Sequence, residues 1–529
     1  MAQAGPERRS AKLERHVQGS EAGGGVIRPG PPPTEPVPLP VATRVLYGVG
    51  SMADGAVLQI GGLLLLYYNQ VVGLSAQLAS LALAVCVFVD AFWDPLVGQF
   101  SDNLRSPLGR RHPLLYLSVP LVGLSVVLVW SPPHGLSQPA LFAYLLATAL
   151  FARLSYSFYS VPAGALAPEL APAYHDRTRL LGYRWLLGTV GGAIAAVLIY
   201  GVFLRATPQY PLGQLNPAGY RPLAVVIAAL MSSAILVCAV GTQARARTMY
   251  RPPARRLDLA SASREVAATL TNRNFAVAVT AGVIAATASS LTAGLSIYFG
   301  TYFWALPATN ILILILVGMT STPIAVTLAP LASLRFGKRN ACMAFFFASV
   351  VTANAPIALR LLGYFPANGS PALLPLLTAN GVVTGVFGSS GFILVTSMIA
   401  DIVEEAQVKT GRRSEGLLFA ADGLLNKVVS GFATVLPGLL LAYVGFPRVA
   451  NPATLDPSIM RHLALIYLPI VVGLSTLSIW CWRYYRIDAA SHARNLIAVG
   501  LAGATDETAV ESGDLPIVAG QPDAAGRIA

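Results

Sequence analysis

Two aspartates one helical turn apart, Asp90 and Asp94, lie in an otherwise apolar run, with Pro95 directly after the second. At i and i+4 they share a helix face, about 6 Å apart along the axis. Two carboxylates that close resist being charged together. Such a pair either takes up a proton or holds a cation between its oxygens. Pro95 has no N–H, so the carbonyl of Ala91 loses its helical partner and can turn to a ligand. Oxygens of this kind suit Na⁺, and the carboxylates alone suit H⁺. The structural alternative is a cluster paired with arginines near a membrane surface.

Asp54, Arg153, Arg184, Asp422 and Lys427 also stand in apolar runs. Each ionisable group at bilayer depth costs about 2.5–3.5 kcal/mol, so it persists where it faces a cavity and has a partner. Lys427 stands about twelve residues into its run, too deep for easy snorkelling. It needs a carboxylate, and Asp90 or Asp94 is the obvious offer; cation binding would then release or re-bias the pair. Asp54, followed by Gly55, either locks helices through a salt bridge or accepts hydrogen bonds from a polar solute. Arg184 either snorkels or turns inward, to pair with Asp54 or to grip solute oxygens in a fork. Arg153 either neutralises an acid or attracts an anionic group of the solute. Asp422 lies nearer the inner end and reads as a gate partner. Asp401, Glu404 and Glu405, followed by Lys409, Arg412, Arg413 and Glu415, form a mixed-charge inner loop. It is either a solvated turn or an ionic latch for an inner gate.

The elements that must position these groups are membrane spans. The chain has 529 residues, 55% hydrophobic and only 11% charged, against about 25% charged in soluble proteins. A span needs about 20 mostly apolar residues. Apolar runs predict twelve: 45–71, 75–100, 113–130, 138–166, 181–205, 221–241, 275–303, 308–331, 341–361, 371–399, 416–443 and 461–482. The expected class is an all-α integral membrane protein. With the N-terminus cytoplasmic, inner segments hold 28 of the 36 Lys and Arg residues and outer segments five. That bias places both termini inside. It also accounts for the net charge of +12 without nucleic acid. Residues 1–43 have no signal-peptide core, so the first span is expected to do the targeting, in a plasma or inner membrane. This tail and the one at 487–529 are expected to be poorly ordered. An inner loop at 242–272 divides a six-helix half, 44–241, from a second, 273–486. Basic turns recur in register, Gly109-Arg110-Arg111 in the first and Gly337-Lys338-Arg339 in the second. Paired halves with a site between them are a common transporter plan. The four cysteines stand singly, and neither they nor the histidines form a metal or disulfide pattern. No cofactor is expected beyond a coupling ion, and the chain is expected to act as a monomer.

Several stretches together resemble the glycoside–pentoside–hexuronide cation symporter family of the major facilitator superfamily. They are Tyr47-Gly48-Val49-Gly50 with Asp54, Val71 to Ser75, Asp90-Ala91-Phe92-Trp93-Asp94-Pro95, Asp401-Ile402-Val403, Lys409-Thr410-Gly411 with Arg413 and Glu415, and Lys427. The resemblance covers nearly all of residues 44–485. It implies the twelve-helix major facilitator fold, alternating access and coupling to H⁺ or Na⁺. It implies that Asp90 and Asp94 are the cation-site acids with Lys427 beside them, and that Asp54 and Arg184 bind a sugar. A family aspartate on the fourth helix is Ser160 here, and two family tryptophans are Gly164 and Phe392. These departures, with Arg153, suit a larger or charged solute. The family's asparagine before the second acid is Trp93, which removes an oxygen Na⁺ could use and favours H⁺. Animal lysophospholipid symporters of the same branch share Asp-x-x-x-Asp-Pro and the lysine, so a lysolipid or other amphiphile is the alternative solute. A polytopic enzyme or a non-transporting sensor is a further alternative; no Ser/His/Asp, Cys/His or helical metal arrangement supports the enzyme.

Overall fold

The computed structural model describes residues 39–171, 174–246, 273–410, 415–487 and Ser491. Twelve helices in it are long and apolar enough to cross a membrane. They are α1 Val41–Val71, α2 Ala76–Asn103, α3 His112–Val129, α4 Gln138–Leu170, α5 Asp176–Phe203, α6 Pro217–Arg245, α7 Arg273–Phe303, α8 Ala308–Phe336, α9 Lys338–Leu361, α10 Leu373–Ile402, α11 Leu425–Tyr443 and α12 Pro457–Tyr484. Each falls on one of the expected spans. Lipid offers no hydrogen bonds, so an apolar segment must satisfy its own backbone, and the helix does so.

Two expectations change at the edges. The helix of α10 runs on to Thr410, so Asp401 to Lys409 are helical rather than a loop. The side chain of Asp401 is buried against α9, and a partnered carboxylate needs no solvated turn. The expected tails at 1–38 and 492–529, and residues 247–272 of the middle loop, lie outside the described residues. Val41 to Thr43 belong to α1, and Thr242 to Arg245 continue α6.

The two halves repeat one packing plan. α1 lies against α5 and α6 as α7 lies against α11 and α12. α2 meets α4 as α8 meets α10, and α3 meets α4 and α6 as α9 meets α10 and α12. The repeat extends to backbone detail. α1 ends in a π-helical turn at Tyr67–Val71, and α7 ends in one at Phe299–Phe303. In each, the next amide bonds back five residues, Val72 to Tyr67 and Trp304 to Phe299. In each, the residue two past the turn has positive φ: Gly73 at 89° and Ala305 at 49°.

We call the side bearing residues 39 and 487 the near face and the opposite side the far face. Side chains of the two halves interlock at the far face. Asn69 and Gln70 of α1 are almost fully buried. Tyr298 donates to Asn69 Oδ1 at 3.0 Å and Tyr302 donates to Gln70 Oε1 at 2.8 Å. Gln70 Oε1 also accepts from the Ala450 amide at 2.8 Å, and its Nε2 donates to the Pro447 carbonyl at 3.1 Å. Gln214 reaches from the first half to Thr301 and the Leu306 carbonyl. Near-face ion pairs have a different pattern. Arg44–Asp176, Arg110–Glu169, Arg111–Glu169 and Lys338–Asp401 each join helices or turns of one half. The halves are therefore latched at the far face.

A glycine seam brings α1 and α5 together. A Cβ on Gly55 would lie 2.0 Å from the Gly188 carbonyl oxygen and 2.4 Å from the Gly192 nitrogen. Small residues permit this backbone approach in a membrane. Gly55→Ala must part the helices, and overpacking costs about 1–3 kcal/mol. We expect a clear fall in melting temperature in detergent. Gly61→Ala, where a side chain meets open space, is the matched control and should change little.

Candidate functional site

The first cluster joins the halves at α2, α4 and α11. Asp90 and Asp94 project from α2, with Asp90 buried. Lys427 arrives from the second half. Its Nζ donates to Asp90 Oδ2 at 3.1 Å and also to Asp94 Oδ2. Arg153 Nη1 lies 3.5 Å from Asp90 Oδ2. Ser157 donates to Asp90 Oδ1 at 3.1 Å. Two carboxylates thus face one ammonium and one guanidinium, for a net charge near zero. Asp94 Oδ1 is buried without a hydrogen-bond partner, as is Trp93 Nε1 beside it. α2 runs unbroken through Pro95. Arg153 stands beside Asp90, as its neutralising reading required, with about half its side chain still exposed.

The second cluster lies between α1, α4 and α5. Arg184 Nη2 reaches Asp54 Oδ2 at 3.4 Å, and its Nη1 donates to the Tyr47 hydroxyl at 3.2 Å. Tyr47 donates onward to the Ala163 carbonyl at 2.8 Å. Tyr156 donates to Asp54 Oδ1. Gly164 leaves room here: a Cβ on it would stand 3.7 Å from the guanidinium. The pair opens on a cavity of about 450 Å³ whose wall includes Asp54, Gln59, Arg184, Trp185, Met319 and Thr322. The volume lies in the range of small-molecule sites, about 300–1,000 Å³. α8 contributes Met319 and Thr322, so the cavity is shared by both halves.

One helix serves both clusters. Tyr156 of α4 touches Asp54, and its neighbour Ser157 touches Asp90. A movement of α4 that alters one contact alters the other. In the sequence, Tyr156, Ser157, Gln59 and Trp185 are neutral groups in apolar runs and do not stand out. Helical periodicity held a usable signal for Ser157. It follows Arg153 by one turn on the helix, so both face Asp90.

Other candidates stand apart. Ser160 is half-buried one turn beyond Tyr156, and the wall of the cavity does not include it. Phe392 is 70% exposed on α10 and is likewise absent from that wall. Asp401 accepts from Lys338 at 2.7 and 2.8 Å, a contact between α9 and α10 within one half. Asn274 of α7 donates to Glu405 at 2.8 Å, again within that half. Arg413 and the side chains of Glu404, Glu415 and Asp422 lie outside the described residues. Among the described residues, no group of His, Cys, Asp and Glu is placed to hold a metal ion.

Comparison with known proteins agrees with this architecture. A family model described as MFS/sugar transport protein matches residues 46–489. An uncharacterized symporter of Synechocystis sp. is 25% identical over 486 residues, covering 77% of this chain and 86% of the relative. An isoprimeverose transporter of Lactiplantibacillus pentosus is 25% identical over 460 residues, covering 85% and 89%. Among solved structures, the inward-open xylose transporter XylE of E. coli superposes with a TM-score of 0.55 at 14% identity, covering 84% of this chain and 96% of that one. That likeness speaks for the fold. A match over most of the chain, on twelve spans in two repeated halves around a shared cavity, places the protein: it belongs to the MFS/sugar transport protein family and is a multi-pass solute symporter.

Proposed function

We propose that the protein carries a sugar-like solute, a glycoside, together with H⁺ or Na⁺ by alternating access. The observation on which this rests is the position of Lys427. It belongs to one half and is bonded to both acids of the other. A cation arriving at Asp90 and Asp94 competes with that ammonium, so ion occupancy bears on how the halves meet. The solute site is Asp54 with Arg184. A carboxylate and a guanidinium side by side offer acceptors and donors to a ring of hydroxyls. The isoprimeverose transporter among the relatives supports a glycoside. The Lys and Arg bias supports a cytoplasmic near face, and the far-face latch then supports an inward-facing state. In this reading the protein acts as a monomer in a plasma or inner membrane.

The test is counterflow of labelled glycosides in proteoliposomes, repeated under an imposed pH gradient and an imposed Na⁺ gradient. Hydrogen bonds to a charged group are worth about 1.5–3 kcal/mol. Asp54→Asn should therefore weaken solute affinity roughly tenfold to hundredfold. Unchanged affinity would remove Asp54 from the solute site. Accumulation that ignores both ion gradients would end the coupling reading.

A further inference from the structure

The polar pair at the solute site has an apolar companion. On α1, Asp54 is followed one turn later by Leu58, and on α5 Leu181 and Trp185 flank Arg184. Residues 181, 184, 185 and 188 fall at i, i+3, i+4 and i+7, one face of a helix. All four line the cavity, and so does Leu58. These apolar groups are not packed away: Leu58 is 76% exposed and Trp185 is 55% exposed. Gly188 puts no side chain beyond the indole. Met319 of α8 closes the wall from the other half.

A solute that is hydroxylated on every side would satisfy Asp54 and Arg184. It would leave the indole and the leucines facing water. A solute with one hydroxylated end and one apolar end satisfies both sides. We infer that Trp185 is a specificity-determining residue, a platform for the apolar aglycone of a glycoside whose sugar ring sits on Asp54 and Arg184. This rests on the proposed glycoside symport and narrows its substrate class to glycosides with an aryl or alkyl aglycone. The basis is area: covering a ring face removes apolar surface from water, and the gain scales with that surface.

The experiment compares methyl and p-nitrophenyl glycosides of a panel of hexoses and pentoses. Each competes for binding to the purified, reconstituted full chain. The p-nitrophenyl member of the best-bound pair should bind at least about tenfold more tightly than the methyl member. Trp185→Ala should erase most of that preference, lowering the p-nitrophenyl affinity far more than the methyl affinity. Trp185→Phe should keep more than half of it. The side chain is largely exposed, so neither change threatens the fold. A wild type that binds both members equally overturns the platform and leaves glycoside symport standing. So does a Trp185→Ala variant that loses both affinities to the same extent. If no glycoside of either kind is bound or moved, the platform and the symport reading fall together.

Discussion

Replacing Asp94 by asparagine should yield a carrier that exchanges solute but no longer accumulates it. With both carboxylates ionised, Asp90 and Asp94 offset the charges of Lys427 and Arg153, so the cluster is formally neutral. One bound H⁺ or Na⁺ raises it by one charge. Asp94→Asn makes the same change permanently with almost no change of shape. The variant should therefore behave as though always loaded. Solute should still bind at the proposed site, Asp54 with Arg184, and still cross in counterflow, within about threefold of wild type. Energy coupling disappears, because no ion enters or leaves. One elementary charge moving through about 100 mV supplies about 2.3 kcal/mol, enough for roughly fifty-fold accumulation. In the variant that ratio should fall to about one. Asp94 is the better choice of the two acids because Asp90 also holds Arg153 and Ser157. Removing its charge would strand a guanidinium as well. Sustained gradient-driven accumulation by Asp94→Asn would show that this carboxylate is structural.

The charges were the most legible part of this molecule. A buried carboxylate or ammonium in lipid is expensive, so Asp54, Asp90, Asp94, Arg184 and Lys427 announce themselves against apolar sequence. Their partners were legible only as a short list. Spacing put Asp90 and Asp94 on one face, but Lys427 lies 337 positions from Asp90, and the packing of α11 on α2 brings them together. The spans were equally readable, because length and apolarity alone define them. Their ends were not. α10 continues as helix past the apolar run because Asp401 meets Lys338, and a buried ion pair across two helices leaves no periodic trace in either. Neutral groups were the least legible. Tyr156, Ser157 and Trp185 belong to residue types that fill every membrane helix. Their significance comes from which side of α4 or α5 meets the cavity. The glycines at 55, 188 and 192 fall in the same class, since a seam exists only when two small stretches face each other.

The far-face latch is built from such neutral groups, and it yields the second large prediction. Gln70 bonds the Pro447 carbonyl, the Ala450 amide and the Tyr302 hydroxyl, all in the other half. Each bond is worth about 1 kcal/mol net, and a buried group left without its partner costs more. Gln70→Leu keeps the volume and removes all three. In the closed state the Ala450 amide would then be buried unpaired and the Pro447 carbonyl would lose its donor, while Tyr302 keeps the Ala450 carbonyl. In the opened state water would satisfy them. The change acts on one state only, so it shifts the conformational balance by roughly 3 kcal/mol, on the order of a hundredfold. A reporter is available on α1. Gly62 lies one turn beyond the cavity-lining Leu58, and a side chain there meets open space. With Gly62→Cys as background, an impermeant thiol reagent applied at the far face should react at least about tenfold faster once Gln70→Leu is added. Three of the four native cysteines are buried and should contribute little. The same variant should lose affinity for any inhibitor that binds from the near face, because that state is depopulated. An unchanged labelling rate would mean that packing, and not this amide, keeps the far face shut. The choice of neutral groups has a physical reason. A charged latch would impose its own cost each time the carrier opened and closed around an ion-loaded site. Amides and tyrosines exchange protein partners for water at nearly equal free energy, so the latch can close firmly without trapping the carrier.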